Sequence, residues 1–371
     1  MKHVRPPMTA WPVPVWLVPG LAVLVVVVVA AAGSAPAAVA VVANPPEPVS
    51  TEQDDPHAVL LLEVAQRASS RVAYAGVQYV SAWCKSGSAS QVVDVTHVPG
   101  MGSLVAVHGT PATAGSAVFT AEDATEDGPD AAVEDGPVAL LARNYHLVVV
   151  GHDAVAGRSA FVVEARKAGG AVAARLWLDQ DSGLALRREV FDSTGAITKA
   201  SSFVDLTIGH ARLAERLPTS MPDAWSDRVP VSAVGTLSSA GWTTPGVLAP
   251  RFQLSDVRRL TTDGDTILHL TYTDGLSAIS VFQQRGHLDA QRLEGFRPTR
   301  VGGTEVYARA GIPYRATWSA DGVVYTVVGD APDDVVQAVI AGLPHERAAA
   351  GVMSRLSRGV DRVASWFNPF S

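Results

Sequence analysis

From Tyr145 to Gly209 the chain alternates apolar and polar positions through five β-type runs, broken only by turn residues. The runs are Tyr145–Val150, Ser159–Lys167, Ala173–Asp179, Leu184–Asp192 and Ile197–Leu206. Between them stand Ala156-Gly157, Gly169-Gly170, Asp181-Ser182-Gly183 and Asp192-Ser193-Thr194-Gly195, residues that favour tight turns. Links this short join only antiparallel neighbours, so the stretch predicts a meander. Its alternation slips in the fourth run, where Leu184 and Leu186 are followed by Val190 and Phe191. Such a change of phase predicts a bulge and a curved sheet. The concave face of a curved sheet must be filled or must bind something.

The same patterning organises the flanks. A helix is predicted over about 56–70, with Asp54 or Asp55 as its cap and Pro56 in its first turn. Strands follow at Arg71–Trp83, Gln91–Val98 and Ser103–His108. Residues 210–250, rich in Pro and Gly with a short helical piece near Ala211–Leu217, break the periodicity and read as a junction. Beyond them, Thr266–Thr273 and Leu276–Gln283 flank Asp274-Gly275, while Tyr314–Ser319 and Val323–Val328 flank Asp321-Gly322. Both are hairpin signals. A helix at about Pro332–Ala341 would turn Val335, Val336, Val339 and Ile340 to that sheet. The tail, 344–371, spaces Val352, Met353, Leu356, Val360, Val363 and Phe367 helically, with Arg355, Arg358 and Arg362 between them. A basic amphipathic helix of this kind either lies on an anionic membrane or packs on the protein.

Val13–Ala32 carries no charge and follows Lys2 and Arg5. It is long enough to cross a bilayer, and the flank keeps residues 1–12 in the cytoplasm and the bulk outside. Ala38-Val39-Ala40 resembles a signal cleavage site, so a retained single-pass anchor and an exported, cleaved chain both stand. Residues 41–55 read as a linker. Net charge is −7, which argues against nucleic acid as a partner. Cys84 is the single cysteine, so an intrachain disulfide is excluded. Seven carboxylates crowd 121–136; they read as a solvated loop or a cation site, without calcium-loop spacing. The chain has no phosphate loop, nucleophile elbow or zinc-ligand spacing. Its histidines share no ligand spacing, and Asp179 with Asp181 reads as turn chemistry. Neither an enzymatic activity nor a cofactor or metal is expected.

Several stretches carry a resemblance. Val155-Ala156-Gly157-Arg158, Leu176-Trp177-Leu178-Asp179, Gly183-Leu184-Ala185-Leu186-Arg187 and Phe203 resemble the MucB/RseB family of sigma-E regulatory proteins. So do Tyr74-Ala75-Gly76 with Tyr79, and Thr96-His97-Val98. In the second unit the likeness lies in Tyr272–Ser277, Ser280-Val281-Phe282, Gly303–Tyr307, and Val327-Val328-Gly329 with Pro332. The resemblance spans about 56–343. It implies an α+β fold: a curved antiparallel half-barrel with a packed helix, like a lipoprotein carrier, over 56–209, and a smaller antiparallel α+β domain over 251–343. It implies binding to the extracytoplasmic segment of a membrane anti-sigma factor, shielding that factor from proteolysis, with a lipid or lipopeptide as a releasing ligand. The alternative is an envelope lipid or lipoprotein carrier. Tyr74, Tyr79 and Trp83, on one aromatic strand, are the candidate cavity-lining residues.

Overall fold

The computed structural model describes residues 3–4, 54–84, 87–110, 117–120, 136–209, 227–230, 233–249, 251–262, 265–289, 293, 295–301, 304–309, 313–329 and 331–345. The span expected at 13–32, the linker up to residue 53, the acidic stretch 121–135, the helical piece near 211–217 and the tail from 346 lie outside them. No helix among the described residues is long and apolar enough to cross a membrane.

The first unit opens with helix α1 (Pro56–Arg71). Asp55 caps it by accepting the His57 N–H at 2.9 Å, and Pro56 sits in the first turn, as the sequence predicts. Strands β1 (Tyr74–Cys84), β2 (Gly87–Val98), β3 (Gly102–Val107) and β4 (Ala117–Thr120) follow. Helix α2 (Pro137–Asn144) has no counterpart among the expected elements. Then comes the meander β5 (His146–Val155), β6 (Arg158–Arg166), β7 (Val172–Asp179), β8 (Ala185–Phe191) and β9 (Ile197–Ile208). The sheet order is β4-β3-β2-β1-β9-β8-β7-β6-β5, all antiparallel. The expected bulge lies where Arg187 pairs with Trp177 but Ala185 pairs with Leu178, leaving Leu186 extra. Further register shifts at Val149/Gly151, Ala165/Arg166, Ile197/Lys199 and Phe203/Asp205 bend the sheet. It curls until β9 touches β5.

The second unit has the sheet order β10-β11-β12-β16-β15-β14-β13. Its strands are β10 (Phe252–Thr262), β11 (Asp265–Thr273), β12 (Ala278–Arg285), β13 (Arg297–Val301), β14 (Thr304–Arg309), β15 (Tyr314–Ala320) and β16 (Val323–Gly329). A short helix, α3 (Val234–Ser239), precedes them, and α4 (Asp333–Ala341) lays Val336, Val339 and Ile340 on the sheet against Leu268, Tyr272, Trp318 and Tyr325. This unit begins before the junction expected at 210–250 ends. Leu237, Trp242 and Leu248 are in its core, and Asp227–Arg228 pairs with β10. A Pro- and Gly-rich stretch can still bury its few large apolar residues, and that is what 234–248 does. At the sheet rim His3–Val4 pairs in parallel with His287–Leu288. That pairing does not choose between the two expected fates of the N-terminus, since a retained span at 13–32 would put a membrane between the partners and cleavage after Ala40 would remove His3 and Val4.

Candidate functional site

Period-two alternation gives each strand two faces, and the registers follow those faces across the first sheet. One row runs Gln91, Val80, Ser201, Arg188, Leu176, Val163. Leu176 and Val163 pack against Ala58, Leu62 and Ala65 of α1, so this is the helix-bearing face. The adjacent row runs Val92, Tyr79, Ser202, Arg187, Trp177, Val162 and lies on the opposite face.

The three aromatic candidates therefore separate. Tyr74 is 6% exposed on the helix-bearing face, with its ring 5.3 Å from His97 and edge-on to Phe203 at 6.0 Å. Tyr79 is 45% exposed and Trp83 38% exposed, both on the other face. β1 pairs with β2 from Tyr74 to Cys84 without a shift, so residues five and nine positions from Tyr74 must point away from it. The three do not converge on one cavity. Ser81 and Ser90 beside it hold the Tyr79 hydroxyl below its ordinary value.

Other residues gather around Tyr74. Gln78 pairs across with Phe203 and Val93, and Gln91 pairs with Val80. Phe203 lies over Gly76, where a Cβ would come within 2.9 Å of its ring and 2.4 Å of the Asp205 carbonyl. Only glycine fits there. The Oε1 atoms of Gln78 and Gln91 are buried and accept no hydrogen bond from the described residues. An unmet buried acceptor costs roughly 1–3 kcal/mol, and two on one face among Tyr74, Val80, Val93, Val95 and Phe203 mark an apolar surface with two places for a donor. No signal in the sequence distinguished these glutamines from ordinary strand residues.

The opposite face of β6–β8 is charged and closed. Glu164, 1% exposed, accepts from Arg166 (2.9 and 2.7 Å) and from Arg175 (3.0 and 2.6 Å). Glu189 accepts from Arg187, whose guanidinium lies 4.5 Å over the Trp177 ring. Trp177 Nε1 donates to Asp153 at 2.9 Å. Asp179 takes two bonds from Arg158, at 2.9 and 2.8 Å, and two from Ser182. Burial by itself would raise the Asp179 carboxyl, but the bonds from Arg158 and Ser182 outweigh it and hold the group below its ordinary value. The expected turn role of Asp179 is what the structure shows.

The two units meet through the β11–β12 hairpin. Asp274 Oδ1 accepts the N–H groups of Leu276 and Ser277 at 2.9 and 2.7 Å. This local bonding opens a four-residue loop, so β12 starts at Ala278 rather than at Leu276. The loop enters the first unit, where Leu276, 2% exposed, joins the core of α1, α2 and β5–β7. Arg188 donates to the Leu276 carbonyl. The Tyr145 hydroxyl donates to Asp274 Oδ2 at 2.6 Å, and Asn144 donates to the Arg251 and Asp274 carbonyls at 3.3 and 2.9 Å. Burial, then the Asp274 carboxylate, push the Tyr145 hydroxyl above its ordinary value, so it stays a donor. Gly275 has φ +93°, and a Cβ there would meet the Leu141 backbone at 3.0 Å. Arg188 shares its row with Gln91 and Val80, so the unmet amides and the interdomain plug lie on one face.

Among the described residues no three His, Cys, Asp or Glu side chains gather as a metal site. Fold and site define a two-domain binding protein: a curled antiparallel sheet with two helices on one face, locked to a smaller sheet domain by an inserted hairpin. The MucB/RseB N-terminal domain model matches residues 110–221 and the MucB/RseB C-terminal domain model matches residues 238–344. The chain belongs to the MucB/RseB family. A curated relative, the sigma factor AlgU regulatory protein MucB of Pseudomonas aeruginosa, is 28% identical over 218 residues. The match takes in 56% of this chain and 63% of the relative's length. A crystal structure of MucB superposes with TM-score 0.51 at 21% identity, covering 79% of this chain and 99% of that one. A structure of MucB in complex with MucA(peri) gives TM-score 0.47 at 20% identity, over 78% and 100%.

Proposed function

We propose that the chain is an extracytoplasmic regulatory binding protein that holds the outer segment of a membrane anti-sigma factor and modulates its proteolysis. The observation that carries the reading is that both domains of the family are present and joined by the 273–277 hairpin. The relative's role as a sigma factor regulatory protein supplies the biological direction. A lipidic ligand, such as a lipopeptide, takes the helix-bearing face. Its acyl chain meets Val80, Val93, Val95 and Phe203, and its amide N–H groups meet Gln78 and Gln91. Each buried CH₂ contributes about 0.8 kcal/mol, so a few methylenes give useful affinity. Tyr74 remains a lining residue in this reading; Tyr79 and Trp83 serve the outer face.

Coupling follows from placement. A ligand that spreads the helix-bearing face acts on the row ending at Arg188, and through the Leu276 carbonyl on the hairpin that holds the domains together. If the partner needs both domains, ligand and partner oppose each other, and linkage makes the effect reciprocal.

The test is capture of the outer segment of the anti-sigma factor encoded beside this chain, with and without a synthetic lipopeptide. Capture that weakens with lipopeptide supports the reading, and Gln78→Leu should blunt the weakening without abolishing capture. Absence of capture removes the regulator and leaves the carrier reading. Capture indifferent to lipopeptide keeps the regulator and discards sensing. A reporter active only outside the cytoplasm, fused after Ser371, should be active; activity of a cytoplasm-only reporter there would overturn the location.

A further inference from the structure

The outer part of the small domain's sheet carries an arrangement of charge that the fold does not need. β14 and β15 pair Arg309 directly opposite Arg315. Opposed like charges on a sheet destabilise it. Neither guanidinium has an ion-pair or hydrogen-bond partner among the described residues. Arg309 is exposed and Arg315 half-buried. Burial, then the Arg309 charge, pull Arg315 below its ordinary value, as expected for a cation held with nothing to neutralise it. The edge strand β13 adds Arg297 and Arg300, both exposed. By register Arg300 shares the face of Arg309 and Arg315, with Glu305 as its one acidic cross-strand neighbour. In a chain of net charge −7, Arg309 and Arg315 are a local concentration of positive charge without a counter-charge among the described residues.

We infer that Arg309 and Arg315, flanked by Arg300, form a binding site for carboxylate side chains of an extended acidic segment of a partner protein. Three features select a peptide over a membrane surface. The guanidinium pair spans adjacent strands, roughly 5 Å apart, which suits one carboxylate held by two forks or two held side by side. The site lies one strand from β13, which pairs on one side only among the described residues. Pro298 removes one edge donor, so a segment docking there draws its affinity from the arginines rather than from a full backbone ladder. The inference goes beyond the regulatory reading and stands on this domain's geometry whatever the partner proves to be.

The experiment uses the full chain and a fluorescent peptide alternating Glu and Thr, read by anisotropy, with a Gln-Thr peptide and phosphatidylglycerol vesicles as the other arms. The Glu peptide should bind, and binding should fall steeply with salt. Arg309→Gln and Arg315→Gln should each weaken it tenfold or more, while the Gln peptide should not bind. In the absence of peptide, Arg309→Gln should leave the melting midpoint unchanged or raise it, because it relieves an opposed pair; an arginine with a structural role would lower it. Equal binding by wild type and both variants overturns the site. Binding to the vesicles but not to the Glu peptide overturns the peptide assignment in favour of a lipid surface. A variant with 121–135 replaced by neutral residues should bind the peptide as wild type does. Markedly tighter binding by that variant would assign the site to the chain's own acidic stretch instead.

Discussion

Each domain carries a crowded patch of arginine, and the two patches are built in opposite ways, although elsewhere in the small domain Asp256 accepts from Arg228 and Arg258. On the outer face of the large sheet four guanidiniums face carboxylates: Arg166 and Arg175 hold Glu164, Arg187 holds Glu189, and Arg158 holds Asp179. On the small sheet Arg309 faces Arg315. Register alone makes the difference, since in both places one strand offers an arginine to its neighbour. At Arg175 the neighbour is Glu164; at Arg315 it is another arginine. The closed network needs nothing from outside, whereas the open pair has no counter-charge among the described residues. Buried ion pairs are poor evidence for net stability, but breaking one by removing a single partner is costly. The closed network should therefore respond severely to single substitutions, and the open pair hardly at all.

The largest effect should come from Glu164. Replacing it with Gln leaves Arg166 and Arg175 partly buried without their counter-charge, at a cost of about 3–5 kcal/mol read by urea unfolding. A loss below about 1 kcal/mol, the range of exposed pairs, would show that the network is no more closed than the surface and would break the comparison.

The junction comes next. Leu276→Ala removes the hairpin's anchor from the large-domain core at about 2–5 kcal/mol, divided between local stability and domain coupling. Calorimetry should show one cooperative transition separating into two, because the hairpin is the place where the cores share a residue. A single transition shifted only slightly would mean that the domains are joined elsewhere.

Much of this fold was legible in the sequence and the site was not, for one physical reason. Turns and alternation are local. Asp192–Gly195, Asp321-Gly322 and the cap at Asp55 write their structure into neighbouring residues, so the meander, α1, α4 and the second hairpin fall where the pattern puts them. The slip after Leu186 even located a bulge. Helix α2 is eight residues long and follows an acidic stretch that masks its start, though Pro137 and the Leu140-Leu141 pair are helix signals. The pairing of Arg309 with Arg315, the unmet amides of Gln78 and Gln91, and the insertion of Leu276 into another domain's core depend on register and docking. Residues distant in sequence decide them. Tyr74, Tyr79 and Trp83 show the limit from the other side: the strand was right, but odd and even positions on one strand belong to different faces.

The effect that is smallest at neutral pH sharpens the comparison through acid. His269 is buried in the small sheet, stacked on Phe282 with centroids 4.3 Å apart. Burial, with the Arg258 charge adding to it, pushes its pKa down from 6.5 to about 3. The folded value lies below the unfolded one, so on acidification the unfolded chain takes the proton first. Stability from the neutral ring is complete above about 6.5 and is lost as pH falls towards 3, by up to about 1.4 kcal/mol per pH unit for one proton. Asp179 in the large domain also has a lowered folded value, but from 3.8. Its contribution is complete above that and fades only as pH falls through the lower folded value. Between about pH 6 and 4 acid should therefore weaken the small domain while the Asp179 turn holds. Hydrogen exchange followed separately in peptides of the two domains measures this directly. Protection in β11 and β12 should fall across that range before protection in β6 and β7 does. His269→Leu should flatten the small domain's response while leaving the large domain's unchanged. An unaltered response in the His269 variant would show that acid sensitivity has another source.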